Sequence, residues 1–593
     1  MNKQSSSLIC KLFGLKSLAW LIFAWTCFLL TLVGFFYVWI IWAIFFLSIV
    51  LLAKNEVKKL SQFRFSRELL FISIGILLVT SLLSLFTTPT LFSGRDQGSI
   101  SEAAIRLAEN HRLTFSTPAS DVFFEIRGTG KALNFPGFFY TRKGNLTTQF
   151  PLVYIAWLAT FYATFGIIGF TIANTILSIL FLATFYLLAR SFMSGWVLIA
   201  SLFFLITSLS VFWFPKYTLS ENMALYLLWL SLFSLLAFLK QQNKLNFVLL
   251  IASSFLLVFT RIEGVAFLAT SVAVLFFHKK AWNYFKKKPK SKLFVIFFLM
   301  GLIFLANFFW NINFYKELFK AILPTIGTAS KNLNTPAEQP HIFQIFRLYG
   351  MLGFFITSLI ACSIYAIRKN LKKLIPFLLI SPTLIYFFDS HISPDHPWML
   401  RRFAFSLLPI AIFYSALFIY DLEKFIASHK KPPVFGLIPK ILATALLVGN
   451  IPAFFYFSTF SENKNLLEQI NKLSQRFSVD DLILFDKKTT GDGWAMAAGP
   501  MNFLYKKNAA YFYNIEDVTR LDLKSFKNVY LIIPDSRIPD YTESSFGHLL
   551  TPIDQYTLSA PQLKLDSTAS QLIVSFPEKK MTTTHGIIFK VSK

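Results

Sequence analysis

The stretch LAWLIFAWTCFLLTLVGFFYVWIIWAIFFLSIVLLA, residues 18–53, decides the class of fold. It carries no charge and runs well past the roughly 20 apolar residues that a helix needs to cross the about 30 Å hydrocarbon core of a bilayer. Gly34, in its middle, permits a tight reversal of the chain, so the stretch reads as two helices in a hairpin. Similar runs recur, and spans are expected at 69–92, 170–189, 196–214, 222–239, 245–260, 263–277, 293–313, 346–366, 374–388, 403–423 and 436–458. The whole chain of 593 residues is 55% apolar and 15% charged, against about 25% charged for a soluble domain. Disorder, collagen and coiled coil are excluded, and a polytopic α-helical membrane protein remains. The beginning resembles a signal peptide, but no small-residue cleavage site follows, so it is read as retained. Cys10, Cys27 and Cys362 lie in or beside apolar segments and cannot build a disulfide framework.

The net charge of +27 would suit nucleic acid if it were clustered in a soluble domain. It is not. Residues 461–593 hold 16 Lys and Arg against 15 Asp and Glu, so the excess belongs to the membrane part. It concentrates in short loops at 54–67, 279–292, 368–373 and 424–431, which the positive-inside tendency places in the cytoplasm as anchors beside lipid headgroups, with no nucleic-acid partner.

Parity now tests the span count. All four basic loops fall on one side only if PLVYIAWLATFYATFG (151–166) does not cross. Its Tyr154, Trp157, Phe161, Tyr162 and Phe165 are types that favour the membrane–water boundary, so it reads as a juxtamembrane helix on the outer face; a crossing segment with a neighbouring pair miscounted is the alternative. With it lying flat there are about 13 spans, the N-terminus is cytoplasmic and the C-terminal region lies outside the plasma membrane. Three parts follow: a helical hairpin with a basic loop (1–68), a transmembrane core (69–460) whose first external loop is 93–169, and a small extracytoplasmic α/β domain (461–593). In that domain 463–476 is helix-like, LILF (482–485) and VYLII (529–533) read as buried strands, and 571–576 and 586–591 read as further strands.

Several polar residues are left unexplained by membrane physics, and parity gathers them on the outer face. GRDQGSISEAAIRLAENHR (94–112) places Asp96 directly after a span, beside Arg95 and ahead of helix-like spacing that includes Glu102. Two roles fit Asp96: a cap on the positive end of a helix, and a general base tuned by burial and a neighbouring cation. KYTLSEN (216–222) supplies Lys216, Tyr217 and Glu221, and TRIEG (260–264) supplies Arg261 and Glu263. Charges at such positions are costly unless they pair or face a polar cavity; a structural ion pair between Arg261 and Glu263 is one reading, a substrate cavity the other. A further polar cluster lies at 332–341. DSHISPDHPWMLRRF (389–403) puts Arg401 and Arg402 at an external helix end, where a guanidinium can grip phosphate bidentately or snorkel to the interface. His391, Asp395 and His396 in that loop could ligate a divalent metal, but their spacing is loose and Pro394 and Pro397 point to an ordinary loop, so none is expected.

The ordered set of a short external Asp motif after an early span, a long first loop, the aromatic segment 149–166, YTLSEN at the start of a later span and the TRIEG turn resembles the polyprenyl-phosphate-sugar-dependent glycosyltransferases of GT-C type, a group that includes protein O-mannosyltransferases and the lipid A aminoarabinose transferase. The match in arrangement covers roughly 69–423. The resemblance implies a multispan core whose external loops roof a cavity for a lipid-phosphate sugar donor. It also implies Asp96 as the base for an acceptor hydroxyl, with inversion at the anomeric carbon. Arg401, Arg402 and Lys216 are then candidates for the donor phosphate, and Arg95, Glu102, Tyr217, Glu221, Arg261, Glu263 and His396 for the cavity. No cofactor is required; the acceptor is an envelope glycan, lipid or protein. The chain departs from the pattern in having a single Pro, Pro151, where relatives often show a pair, in lacking an acidic doublet after the first span, and in its two leading spans. A transporter or flippase, whose intramembrane charges line a path, and a non-catalytic assembly protein are the readings from other classes.

Overall fold

The computed structural model describes residues 3–54, 67–88, 91–92, 96–286, 290–312, 315–316, 342–387, 396–429, 432–491, 495–564 and 575–592. Helices dominate and occupy every expected span. The opening stretch forms helices Lys3–Leu32 and Val38–Lys54, with Gly34 between them at φ 69°, the left-handed conformation that glycine adopts without strain. Among the described residues five helices are long and apolar enough to cross a membrane, and up to nine spans result if each of four bent pairs is counted once. The expected count is higher because segments such as Val38–Lys54 and Lys244–Val258 are shorter apolar helices; the latter, at 15 residues, is about 22 Å long.

Helix Arg67–Ser84 shows the lipid-facing chemistry most plainly: Phe71 is 72% exposed and Leu70, Leu77, Leu78 and Leu82 are also exposed. Its two ends mark the two ends of the bundle. At one end Glu68 accepts from the Tyr186 hydroxyl at 2.7 Å and pairs with Arg190 at 3.4 Å. Asp421, which accepts from Tyr365 and pairs with Lys373, lies among the basic loops. At the other end the chain turns into the polar loop that carries Asp96.

The aromatic segment 151–166 differs from expectation in its surroundings. It is a helix, Leu152–Phe165, whose 14 residues span about 21 Å, short of a bilayer core. Every residue from Leu152 to Phe161 is buried, and only the last turn is exposed. Trp157 packs on Trp20 and Phe23, with ring centroids 5.6 and 5.2 Å apart. Tyr154, Trp157 and Phe161 are therefore core, filling the space between the first helix and the polar loop, while Tyr162 is half-buried and Phe165 exposed.

The polar loop is itself folded. Helices Asp96–Asn110 and Pro118–Arg127 precede a three-stranded antiparallel sheet, β1 (Gly130–Lys131), β2 (Phe138–Tyr140) and β3 (Leu146–Thr148), which hydropathy did not reveal. The C-terminal domain contains the expected strands β4 (Leu482–Phe485) and β6 (Val529–Pro534), with β5 (Asn508–Tyr511) and a long hairpin of β7 (Leu550–Lys564) and β8 (Glu578–Val591). Sheet order is β5-β4-β6-β8-β7, with β4 parallel to both neighbours. The strand expected at 571–576 falls mostly outside the described residues, and Ser575 and Phe576 are not in a strand; 586–591 is the end of β8.

Candidate functional site

Five sequence-selected residues meet in one chain of alternating charge. Asp96 opens helix Asp96–Asn110, and its carboxylate is in contact with Arg401 Nη1 at 2.5 Å. Arg401 Nε lies 3.7 Å from Glu221 Oε1, which also lies 2.9 Å from Arg261 Nη1. Arg261 Nη2 in turn pairs with Glu263 at 2.7 Å, and Tyr386 donates its hydroxyl to the same Glu263 oxygen. The Arg402 guanidinium lies 5.3 Å from the Tyr386 ring centre. The four segments come from separate loops of the bundle, so the cluster is made only by folding.

Local structure explains how each group reaches it. Asp96 sits in the first turn, where unpaired backbone N–H groups and the helix dipole favour a carboxylate. The helix is buried from Gln97 to Ala108. Ser99 donates to the Pro136 carbonyl at 2.7 Å, and Gly137 can approach because it has no side chain: a Cβ there would stand 2.3 Å from Ser99 Cβ. Ser101 and Thr218 share a hydroxyl hydrogen bond at 2.8 Å, and Thr218 also donates to the Gln97 carbonyl at 2.9 Å. These bonds lock the Asp96 helix to the KYTLSEN turn that delivers Glu221. The turn is held from beneath by two buried amides. Asn174 donates to the carbonyls of Pro215 and Tyr217 at 3.0 and 2.9 Å, and Asn222 donates to Tyr217 at 2.8 Å. The Tyr154 hydroxyl completes Asn174 at 2.7 Å.

Glu221 is 5% exposed, and such a carboxylate is tolerable only beside cations. Glu263 is held by the adjacent Arg261 guanidinium and the Tyr386 hydroxyl. Asp96 and Arg401 are more open, with side chains 41% and 29% exposed, so this end of the network is the accessible one.

Other selected residues lie elsewhere. Lys216 Nζ donates to the carbonyls of Phe457, Ser458 and Phe460 at 2.9, 2.5 and 2.8 Å. All three ammonium hydrogens are thereby used on carbonyls at the end of helix Ile438–Phe457, which is why Lys216 does not join the cluster. Glu102 is buried one turn from Arg106, 4.0 Å away, further along the Asp96 helix. The Tyr217 ring packs on Trp398 at 4.2 Å, and its hydroxyl faces Glu462 at 3.4 Å. His396 is buried with Nδ1 2.9 Å from the Tyr349 hydroxyl, and burial pulls its pKa down to about 4. Arg95, His391, Asp395 and the 332–341 cluster lie outside the described residues; among the described residues no three His, Cys, Asp or Glu side chains gather as a metal site.

Tyr386 and Asn174 went unselected at the sequence level. Asn174 did leave a signal, an amide inside an apolar span. Tyr386, at the end of an aromatic-rich segment, left none.

The chain is similar in fold to two solved structures. ArnT from Cupriavidus metallidurans in the apo state is 9% identical, with 88% of this chain and 98% of that chain covered and a TM-score of 0.46. ArnT from the same organism bound to undecaprenyl phosphate is 8% identical, with 89% and 98% covered and a TM-score of 0.46. No family model and no curated protein matches the chain.

Proposed function

We propose that this protein is a membrane glycosyltransferase that moves a sugar from a polyprenyl-phosphate carrier to an acceptor hydroxyl at the extracytoplasmic face. The observation that carries the reading is the Asp96–Arg401 contact at the open end of a buried ionic network, in a chain whose remaining bulk is apolar helix. A carboxylate and a guanidinium in contact, with a second guanidinium on the next residue, provide a proton acceptor and a phosphate ligand side by side. In this proposal the donor phosphate competes with Asp96 for Arg401, so donor binding frees the carboxylate for the acceptor. Asp96 then takes the hydroxyl proton while the acceptor oxygen bonds to the anomeric carbon. The bond from that carbon to the phosphate oxygen breaks, and the electron pair leaves with the phosphate. Attack opposite the leaving group inverts the configuration, and Arg401 and Arg402 receive the negative charge that develops on the phosphate. Glu221, Arg261 and Glu263 keep Arg401 in place. No metal or cofactor enters the scheme.

Mass spectrometry of lipids that co-purify with the protein tests the donor class. A glycosylated phosphoprenol, consumed when cell-envelope extract is added and not consumed by Asp96→Asn protein, is expected. A purified protein that neither carries nor consumes such a lipid overturns the reading.

A further inference from the structure

The C-terminal domain contacts the Asp96 helix and the polar loop on one side and Tyr349, a neighbour of the segment that leads to Arg401, on the other. On the first side, Arg106 of the Asp96 helix donates to Oδ1 of Asn502, a residue of the short helix Ala498–Phe503. Asn502 is itself fixed, since its Nδ2 donates to the Ala509 carbonyl at 3.0 Å. Asn134 of the polar loop and Tyr511 of β5 exchange two further bonds, Asn134 Nδ2 to the Tyr511 carbonyl at 2.8 Å and Tyr511 N to the Asn134 carbonyl at 3.2 Å. On the second side, Phe576, just ahead of β8, packs on Tyr349 and Phe457 with centroids 5.4 and 5.3 Å away. The Tyr349 hydroxyl meets His396, and the chain runs from His396 through the Trp398–Leu400 turn directly into Arg401.

The lever is long enough to matter. Ten residues of helix separate Arg106 from Asp96, about 15 Å at 1.5 Å per residue, so a tilt of about 4° at the Asn502 contact moves Asp96 by about 1 Å. Displacements of about 1 Å cost reactions up to about 100-fold in rate.

We propose that the C-terminal domain is a clamp that sets the spacing of Asp96 and Arg401, with Asn502 a positioning residue on the Asp96 side and Tyr349 a positioning residue on the Arg401 side. The inference rests on the reading of these two side chains as base and phosphate ligand, and it gives the domain a role in that reaction. Neither Asn502 nor Tyr349 touches the reacting groups; each acts through a neighbour.

Deuterium exchange and binding of synthetic undecaprenyl phosphate, both on the full chain in lipid nanodiscs, test it. Asn502→Leu leaves buried Arg106 without its acceptor and is expected to speed exchange in 97–108 about tenfold, with helices Ile168–Arg190 and Leu407–Ser428 unchanged. Asn502→Asp keeps an oxygen toward Arg106 but loses the Nδ2 bond to Ala509, and recovers slow exchange in part. Tyr349→Phe keeps the ring packing but loses the His396 bond; it weakens undecaprenyl phosphate about fivefold, whereas Asn502→Leu does not. Exchange that rises evenly across all helices, an Asn502→Asp protein no better than Asn502→Leu, or a Tyr349→Phe protein that binds as tightly as wild type overturns the clamp. A wild-type protein that does not bind undecaprenyl phosphate overturns the proposed donor instead, and the exchange pattern then decides the clamp by itself.

Discussion

Asp96 and Arg401 stand 305 residues apart in the chain and touch carboxylate to guanidinium. The contact joins the first turn of a helix in the polar loop to a short helix that leads into a late span, and Glu221 takes the other edge of the same guanidinium. Arg401 is therefore shared between an accessible carboxylate and a buried one.

Asp96→Asn keeps the size and a hydrogen-bonding oxygen but removes the base. Transfer is expected to fall about 100-fold or more at wild-type expression, while affinity for undecaprenyl phosphate stays equal or improves, because Arg401 is released from its partner. Isothermal titration with undecaprenyl phosphate and a transfer assay check the two halves; weaker lipid binding in the variant contradicts the competition.

Arg261 is the central cation of the buried segment, joined to Glu221 and Glu263. Arg261→Ala leaves Glu221 to Arg401 at 3.7 Å and Glu263 to the Tyr386 hydroxyl, and is expected to cost about 3 kcal/mol of stability. Arg261→Met with Glu221→Gln and Glu263→Gln together is expected to recover part of it. Melting temperatures of the detergent-solubilised proteins measure this.

His396 is neutral in the folded protein, with its pKa pulled to about 4 by burial, whereas in the unfolded chain it titrates near its ordinary value of about 6.5. Between these values the unfolded chain binds the extra proton, so stability is whole above about pH 6.5 and declines as pH falls toward about 4. Melting curves from pH 7 to pH 4 test this. His396→Gln is expected to flatten that part of the profile.

Gly137 has φ 91° and would bring a Cβ to 2.3 Å from Ser99 Cβ. Gly137→Ala is expected to lower both stability and transfer by pushing the Asp96 helix off the KYTLSEN turn. Adding Ser99→Gly relieves the clash while the backbone strain remains, so the double variant recovers transfer in part. A double variant no better than Gly137→Ala contradicts this account.

How much was legible beforehand depends on how local the determinant is. The hairpin at 18–53 and strands LILF and VYLII could be read directly, because burial of an apolar run and the reversal at Gly34 depend on residues adjacent in sequence. Parity, a counting argument over many loops, brought Asp96, Glu221, Arg261, Glu263 and Arg401 to one end of the bundle. It could not order them. The same argument brought Lys216 to that end, yet Lys216 serves the carbonyls of a helix more than 200 residues away in sequence. The aromatic composition of 151–166 suggested a headgroup belt, and composition cannot distinguish a ring facing lipid from one facing Trp20 and Phe23.

The sequence by itself determined that the chain is a bundle of apolar helices with a long polar loop that opens in a helix and a small α/β tail, since hydropathy and turn chemistry add up residue by residue along the chain. Only the tertiary structure decided that Asp96 pairs with Arg401, that Glu221 bridges Arg401 and Arg261, and that the tail domain meets the Asp96 helix at Arg106 and packs on Tyr349. Ionic and hydrogen-bond energies change over an ångström, and distances between remote segments exist only once the helices have packed.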